Sequence, residues 1–256
     1  MPYLLSVAGI SLIRKYVKNW YSVVGTYAKL LKSTEVRFRN GAETRVSKSD
    51  YGDFREELFR QHLMDNGFDY SEMEGRPLVR TPNGIQMVLL HDYSNIIDEI
   101  FLRKAYGGNR LDNRVAIDIG ASLGDSSLYF SSLGASKVFG FEIDNSRYVL
   151  ALENIRLNGM SDVISLFNEA ANSVSVINLI DRHKLTHVFL KMDCEGCEYE
   201  IMENLPHGIF ANIDDIVMEY HLKPEPLENK LKEEGFKVRR EKKVLIPEGR
   251  IYASRI

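Results

Sequence analysis

The sequence predicts an α/β chain, with a Rossmann-like domain in its second half and an accessory region of helices and β-hairpins before it. Three observations predict this. Short apolar runs recur at Val115–Ile119, Val138–Glu142, Val163–Phe167, Val188–Met192 and Ile216–Tyr220, with helical stretches between them. Buried strands that alternate with helices make a parallel sheet covered on both faces. A glycine-bearing turn, Asp118-Ile-Gly-Ala-Ser-Leu-Gly-Asp-Ser126, follows the first run and opens a helix, which is where such folds hold ligands. The tail after Gly235, through Phe236, Val238, Val244–Ile246 and Arg250–Ile256, has the pattern of a terminal antiparallel hairpin.

The accessory region is expected over residues 1–90 and the main domain over 91–256. The first 32 residues carry Arg14, Lys15, Lys18, Lys29 and Lys32 and no acidic residue. With Tyr16, Trp20 and Leu30 they predict amphipathic helices that pack on the rest of the chain or on a second copy of it. The alternative is a membrane-surface contact through residues 1–32, because surface-seeking and core-packing helices share this pattern. Two hairpins follow. One spans Glu35 to Val46 around Asn40-Gly41, and the other spans Pro77 to Leu90 around Asn83-Gly84; Asn-Gly suits the left-handed conformations of tight turns. A polar helical stretch from Phe54 to Met64 lies between them. In the main domain Gly134 can close the helix after the glycine loop. Asp144 or Asn145 can cap the next helix, which carries Tyr148, Leu152 and Ile155 on one face and stops at Asn158-Gly159.

Composition narrows the function classes. The chain has 256 residues, 44% hydrophobic and 27% charged, with a formal net charge of −3. A whole-chain nucleic-acid binder would carry a basic surplus, so no nucleic-acid partner is expected. No apolar run is long enough to cross a bilayer. The first charge, Arg14, follows the N-terminal apolar stretch, whereas a secretory signal places it before. A cytoplasmic protein is expected. Two cysteines form no disulfide framework. They make one Cys194-x-x-Cys197 without a second pair to complete a zinc site, and are expected to be small strand-end and helix-start residues with no redox role.

Gly120 and Gly124 let the backbone of the glycine loop approach a ligand closely. The spacing is Gly-x-x-x-Gly, and the loop carries Asp118 and Asp125 with no Lys or Arg. Those charges would repel a pyrophosphate and suit a ligand bearing positive charge. S-adenosylmethionine, with a sulfonium and an ammonium and no phosphate, fits that pattern better than a dinucleotide. Glu142, about twenty residues on, stands where a Rossmann-type site places an acid on ribose hydroxyls. Asn168-Glu-Ala170 follows the next strand, where it would border an adenine ring. The candidate cofactor contacts are therefore Asp118, Gly120, Ala121, Ser122, Gly124, Asp125, Ser126, Glu142, Ile143, Glu169 and Ala170.

The second signal is Leu190-Lys-Met-Asp-Cys-Glu-Gly-Cys-Glu-Tyr-Glu-Ile-Met202, at the carboxyl end of a sheet strand. Together with the glycine loop, Phe139-Gly-Phe-Glu142, Asn154-Ile-Arg-Leu-Asn158 and Glu219-Tyr-His221, it resembles the FkbM family of methyltransferases. That family's Asp-x-Glu-Gly-x-Glu string is matched by Asp193, Glu195, Gly196 and Glu198. One departure is visible: the family's Phe-Glu-Pro is Phe141-Glu-Ile143 here, which leaves the acid in place. The resemblance runs from about Ile97 to the C-terminus, and the first eighty or so residues lie outside it. It implies a class I methyltransferase sheet, S-adenosylmethionine as cofactor, and methyl transfer to a hydroxyl oxygen of a sugar or other small-molecule or glycan acceptor. A hydroxyl must lose its proton, and Asp193 or Glu195 is the first choice of base, with His221 the second. Asp193 could instead belong to the cofactor pocket. A divalent cation on Asp193, Glu195 and Glu219 or His221 is the less favoured alternative, and no metal is assigned. A nicotinamide oxidoreductase and a non-catalytic scaffold are the competing classes. A homo-oligomer is compatible with the sequence.

Overall fold

In the computed structural model the described residues are 7–47, 50–91, 93–242 and 248–255. The chain forms two compact units, one ending at Arg103 and the other beginning at Lys104.

The first unit starts with α1 (Val7–Tyr16) and α2 (Trp20–Tyr27), followed by the hairpin β1 (Ser33–Arg37) and β2 (Glu43–Ser47). Asn40 shapes the turn as expected, its side chain accepting the Ala42 N–H at 2.9 Å. Next come α3 (Gly52–Asp65), an antiparallel sheet of β3 (Asp69–Met73), β4 (Arg76–Arg80) and β5 (Gln86–Val88), and α4 (Ser94–Ile97), which runs on into a π-helical turn over Asp98–Leu102. The sequence predicts the β4–β5 hairpin but not β3. Asp-Tyr-Ser-Glu-Met is polar and buries no side chain fully, so it lacks the apolar alternation that marks a strand.

The polar-looking α3 buries Phe54, Leu58, Phe59 and Leu63, the first three in one core cluster with Ile13, Val17, Val23 and Phe38. The apolar face of α1 is thus spent on this core, and Lys15 pairs with Asp65 at 2.9 Å. Tyr21, Leu30 and Leu31 remain exposed beside basic residues. Among the described residues no helix is long and apolar enough to cross a membrane. Residues 1–6 of the basic N-terminal stretch lie outside the described residues.

The second unit is a seven-stranded sheet. In chain order its elements are β6 (Val115–Ile119), α5 (Asp125–Ser132), β7 (Lys137–Phe141), α6 (Asn145–Leu157), β8 (Ile164–Phe167), α7 (Ser173–His183), β9 (Val188–Met192), α8 (Cys197–Asn204), α9 (His207–Phe210), β10 (Ile213–Tyr220), α10 (Glu225–Glu233), β11 (Lys237–Lys242) and β12 (Gly249–Ser254). The strand order is β11-β12-β10-β9-β6-β7-β8, with β12 antiparallel between β10 and β11 and the other neighbours parallel. This is the expected Rossmann-like sheet: the order reverses between β6 and β9, and a reversed strand slots in near one edge. The expected terminal hairpin is present as β11–β12; its Val244–Ile246 lie outside the described residues. Asp144 is the cap of α6, accepting the Arg147 N–H at 2.8 Å.

The pleat sorts the strand ends. Ile117, Ile119, Leu190, Met192, Ile216 and Met218 join one core cluster with α7 to α10. Their alternates Asp118, Lys191 and Glu219 therefore share the opposite face, and all three are buried. Register brings Asp118 beside Lys191 and Glu219 beside Arg250. Charges buried in a sheet must be paired, and these cross-strand neighbours are the pairs.

Candidate functional site

The glycine loop bends back over the strand ends. Gly120 and Ala121 both donate their N–H to the Phe141 carbonyl, at 3.0 and 2.9 Å. Gly120 has φ +79°, and a Cβ there would stand 1.9 Å from the Asp193 carbonyl oxygen. No residue with a side chain fits that space, so this glycine sets how closely the loop approaches the end of β9. Gly124, at φ +78°, starts α5 over Ala151. Asn154, inside α6, donates to the Leu123 carbonyl at 3.0 Å and ties that helix to the loop.

Lys191 is the functional residue that the sequence reading missed. It is 1% exposed, and its Nζ lies 3.0 Å from Asp118 Oδ1 and donates to the Gly120 carbonyl at 2.7 Å and the Ile119 carbonyl at 3.2 Å. Burial alone would lower its pKa, but Asp118 and Asp193 hold it above the ordinary lysine range. Ser126 and Ser127 donate to Asp118 Oδ2 at 2.7 and 2.6 Å. The loop does hold a lysine, supplied by the next strand over, and the charge of Asp118 is answered inside the protein. This corrects the expectation that Asp118 faces a positive ligand with free charge. The pairing depends on which strands are neighbours, so local sequence could not reveal it.

Asp125 is different. It is 2% exposed, and its Oδ1 has no hydrogen-bond partner. Burial, with Asp118 adding, pushes its carboxyl up to about 7 against the pull of Lys191. Glu142 is 5% exposed and braces two loops. Its Oε2 accepts the Ser122 N–H at 2.8 Å and its Oε1 the Asp144 N–H at 2.7 Å. Ile143 beside it is 71% exposed, an apolar surface that invites a flat ring. Asn168 donates to the carbonyl of Glu142 at 2.8 Å, which brings the Glu169-Ala170 segment to the same corner. A cleft of about 340 Å³ opens there, lined by Phe141, Phe167, Glu169 and residues of α7.

The acidic strand end gathers around His221. Its Nε2 lies 3.4 Å from Glu195, 3.9 Å from Glu219 and 4.0 Å from Asp193, and its Nδ1 lies 3.4 Å from Glu198. These are charge contacts at the long edge of hydrogen-bond range. Glu198, with the other carboxylates adding, raises His221 to about 9, so the ring is an imidazolium at neutral pH. Glu198 is fully buried and accepts the N–H groups of Cys194 and Gly196 at 3.0 and 2.8 Å. Burial works to raise its pKa, but His221 and the Cys194 and Glu198 N–H groups hold it below the ordinary glutamate range. Asp193 Oδ2 accepts from Tyr106 Oη at 2.7 Å. Tyr106 lies outside every sequence motif, and only the fold brings it here. Glu195 is mostly exposed, at φ +58°. Glu200 holds the start of α7 through Ser173, at 2.7 and 3.0 Å, and takes no part in the cluster.

Asp193, Glu219 and His221 each bring one ligand-type atom within 4.8 Å of the other two. Arg250 stands 3.5 Å from Glu219 in the same cluster.

The raised His221 has a consequence for stability. A histidine near 9 when folded and near 6.5 when unfolded adds stability that is complete below about pH 6.5 and is lost as pH rises through about 9. With solvent screening allowed for, the contribution is on the order of 1–2 kcal/mol. His221→Gln should be less stable than the native chain at pH 6.5 in urea unfolding, and the gap should close by about pH 9.5. A gap that stays constant with pH would mean that the ring acts through packing, not charge.

Cys194 and Cys197 are joined in a disulfide. This overturns the expectation that they are merely small residues: the turn through Glu195 and Gly196 brings the two side chains together.

Several solved structures are similar in fold. Ribosomal protein L11 methylase from Lactobacillus delbrueckii subsp. bulgaricus is 15% identical, with 69% of this chain and 83% of that one covered and a TM-score of 0.44. Precorrin-6y C5,15-methyltransferase from Geobacter metallireducens GS-15 is 18% identical, covering 57% and 81% with a TM-score of 0.42. Magnesium protoporphyrin IX methyltransferase from Synechocystis PCC 6803, solved with bound S-adenosylmethionine, is 13% identical, covering 63% and 79% with a TM-score of 0.40. No family model and no curated protein matches the sequence.

Proposed function

We propose that the chain is an S-adenosylmethionine-dependent methyltransferase acting on a hydroxyl oxygen of a sugar or other small metabolite. The observation that carries this reading is the buried carboxyl of Asp125 at the glycine loop, whose Oδ1 has no hydrogen-bond partner, with Glu142 bracing that loop. A buried carboxyl oxygen without a donor in such a place favours a cationic ligand. Among the described residues a pyrophosphate would not find Lys191 free beneath the loop, because it is committed to Asp118 and two carbonyls. Gly120, Ala121, Ser122, Gly124, Asp125 and Ser126 would hold the amino-acid part of the cofactor. Glu142 would take the ribose hydroxyls on its remaining lone pairs, and Ile143, Glu169 and Ala170 would border the adenine.

The bound cofactor supplies an electrophilic methyl group that needs no further activation. The protein's task is to hold an acceptor oxygen in line with it and to take the proton from that oxygen. His221 is already protonated, so the proton passes to Asp193 or Glu195. Asp193 is the better placed of the two: Tyr106 fixes one of its oxygens and leaves the other directed towards His221. The imidazolium then balances the carboxylates around it. The family resemblance carries the choice of an oxygen acceptor.

Calorimetry with S-adenosylmethionine, S-adenosylhomocysteine and NAD tests the reading. Micromolar binding of the first two is expected, weakened about tenfold or more, roughly 1.4 kcal/mol, by Glu142→Gln. Affinity for the cationic donor should rise from about pH 6 to 8, as Asp125 ionises near 7. A preference for NAD, or no binding of either sulfur compound, would sink the assignment.

A further inference from the structure

We propose that Cys194 and Cys197 are a reversible thiol–disulfide site that clamps the acidic turn, taking a dithiol as reductant and a disulfide as oxidant. It concerns the regulation of the site assigned above, and in that sense rests on that assignment. The bond closes the four-residue turn Cys194-Glu195-Gly196-Cys197 between the end of β9 and the first residue of α8. The Glu198 side of the acidic cluster is organised through this turn. The Cys194 and Gly196 N–H groups hold Glu198 at 3.0 and 2.8 Å, and Glu198 faces Nδ1 of His221. Glu195 sits inside the ring at φ +58° and Gly196 at φ +125°. The first is a conformation that a residue with a Cβ rarely adopts, and the cross-link helps to hold it. Asp193 immediately precedes the ring. Both cysteines are half-buried, within reach of a small or flexible thiol.

The exchange balances without an outside cofactor. A thiolate of the reductant attacks one sulfur, the S–S bond breaks, and a mixed disulfide forms with release of the other sulfur as thiolate. The second thiol of the reductant then displaces the protein sulfur. Two electrons and two protons have moved to the protein, which ends with two thiols, and the reductant leaves as a disulfide. With the ring open, Glu195 can leave its left-handed conformation, and the two N–H groups lose their fixed aim at Glu198.

The test uses the full chain without cofactor. Protein equilibrated in glutathione buffers of graded redox ratio is alkylated and weighed, and hydrogen exchange at the Cys194 and Gly196 amides is followed in the same samples. Two alkylated thiols should appear together as the buffer becomes reducing, and exchange at both amides should speed up tenfold or more. The Cys194→Ser/Cys197→Ser variant should exchange at the fast rate in every buffer. Thiols that stay free under excess oxidised glutathione, a bond that survives excess dithiothreitol, or amides indifferent to the bond would each overturn the proposal. Because no readout uses S-adenosylmethionine, failure of the methyltransferase assignment would show separately, in the calorimetry.

Discussion

Lys191→Met is expected to destabilise the second unit by about 3–5 kcal/mol and to abolish binding of S-adenosylmethionine. Removing one partner of a buried ion pair leaves the other charge uncompensated, and that penalty, not the net worth of the pair, sets the size of the effect. Asp118 is fully buried and would keep only the hydroxyls of Ser126 and Ser127. The Gly120 carbonyl would lose its 2.7 Å donor as well, so the loop should loosen along with the strand end. For a unit of about 150 residues the stability loss corresponds to a fall in Tm of roughly 10 °C. Urea unfolding and calorimetry on the same sample read both effects. The double variant Asp118→Asn/Lys191→Met should recover much of the stability, because neither charge is then stranded, but should still bind cofactor poorly. A single variant that loses less than about 1 kcal/mol would show that the serines alone satisfy Asp118.

Lys191 also shows where a sequence stops being legible. The parallel strands could be read because each is a continuous apolar run, and runs of that kind are buried on both faces wherever they sit in the sheet. Asp144, Asn40-Gly41 and Gly124 could be read because a cap or a turn is decided within a few residues. The charge state of the glycine loop could not be. It depends on a side chain more than seventy positions away in sequence, brought alongside by the neighbouring of β6 and β9. Tyr106 escaped for the same reason, since its partner Asp193 is 87 positions away. Arg250 and Glu219 meet because β12 returns antiparallel beside β10, a pairing the terminal hairpin implies only once the strand order is known. Even β3 was missed on physical grounds: a strand with no fully buried side chain leaves no apolar period to read. The motifs, being local, stood out, while the contacts that set their electrostatics came from the fold.

Gly120→Ala is the second large effect. A residue with a Cβ at φ +79° costs roughly 1–2 kcal/mol in the left-handed region even in open space. Here the added methyl would stand 1.9 Å from the Asp193 carbonyl oxygen, with the Asp193 carbonyl carbon at 2.9 Å. Backbone cannot swing aside as a flexible side chain can, so either the loop lifts or the end of β9 moves. A total above about 4 kcal/mol is expected, in the range reserved for severe core disruption. Gly196→Ala is the control. Its φ of +125° is strained too, but a Cβ there meets nothing within 4 Å, so it should cost only the backbone term of about 1–3 kcal/mol and spare the cofactor. Urea midpoints of the two variants give the comparison. If Gly120→Ala proves no worse than Gly196→Ala, the loop and the strand end are not in contact. If it is far worse and also disturbs Asp193, seen as a change in the Tyr106–Asp193 hydrogen bond by NMR, one glycine couples the two motifs. Glycine loop and acidic strand end would then be a single device, in which the position of Asp193, the proposed base, is set by the same backbone contact that shapes the proposed cofactor pocket.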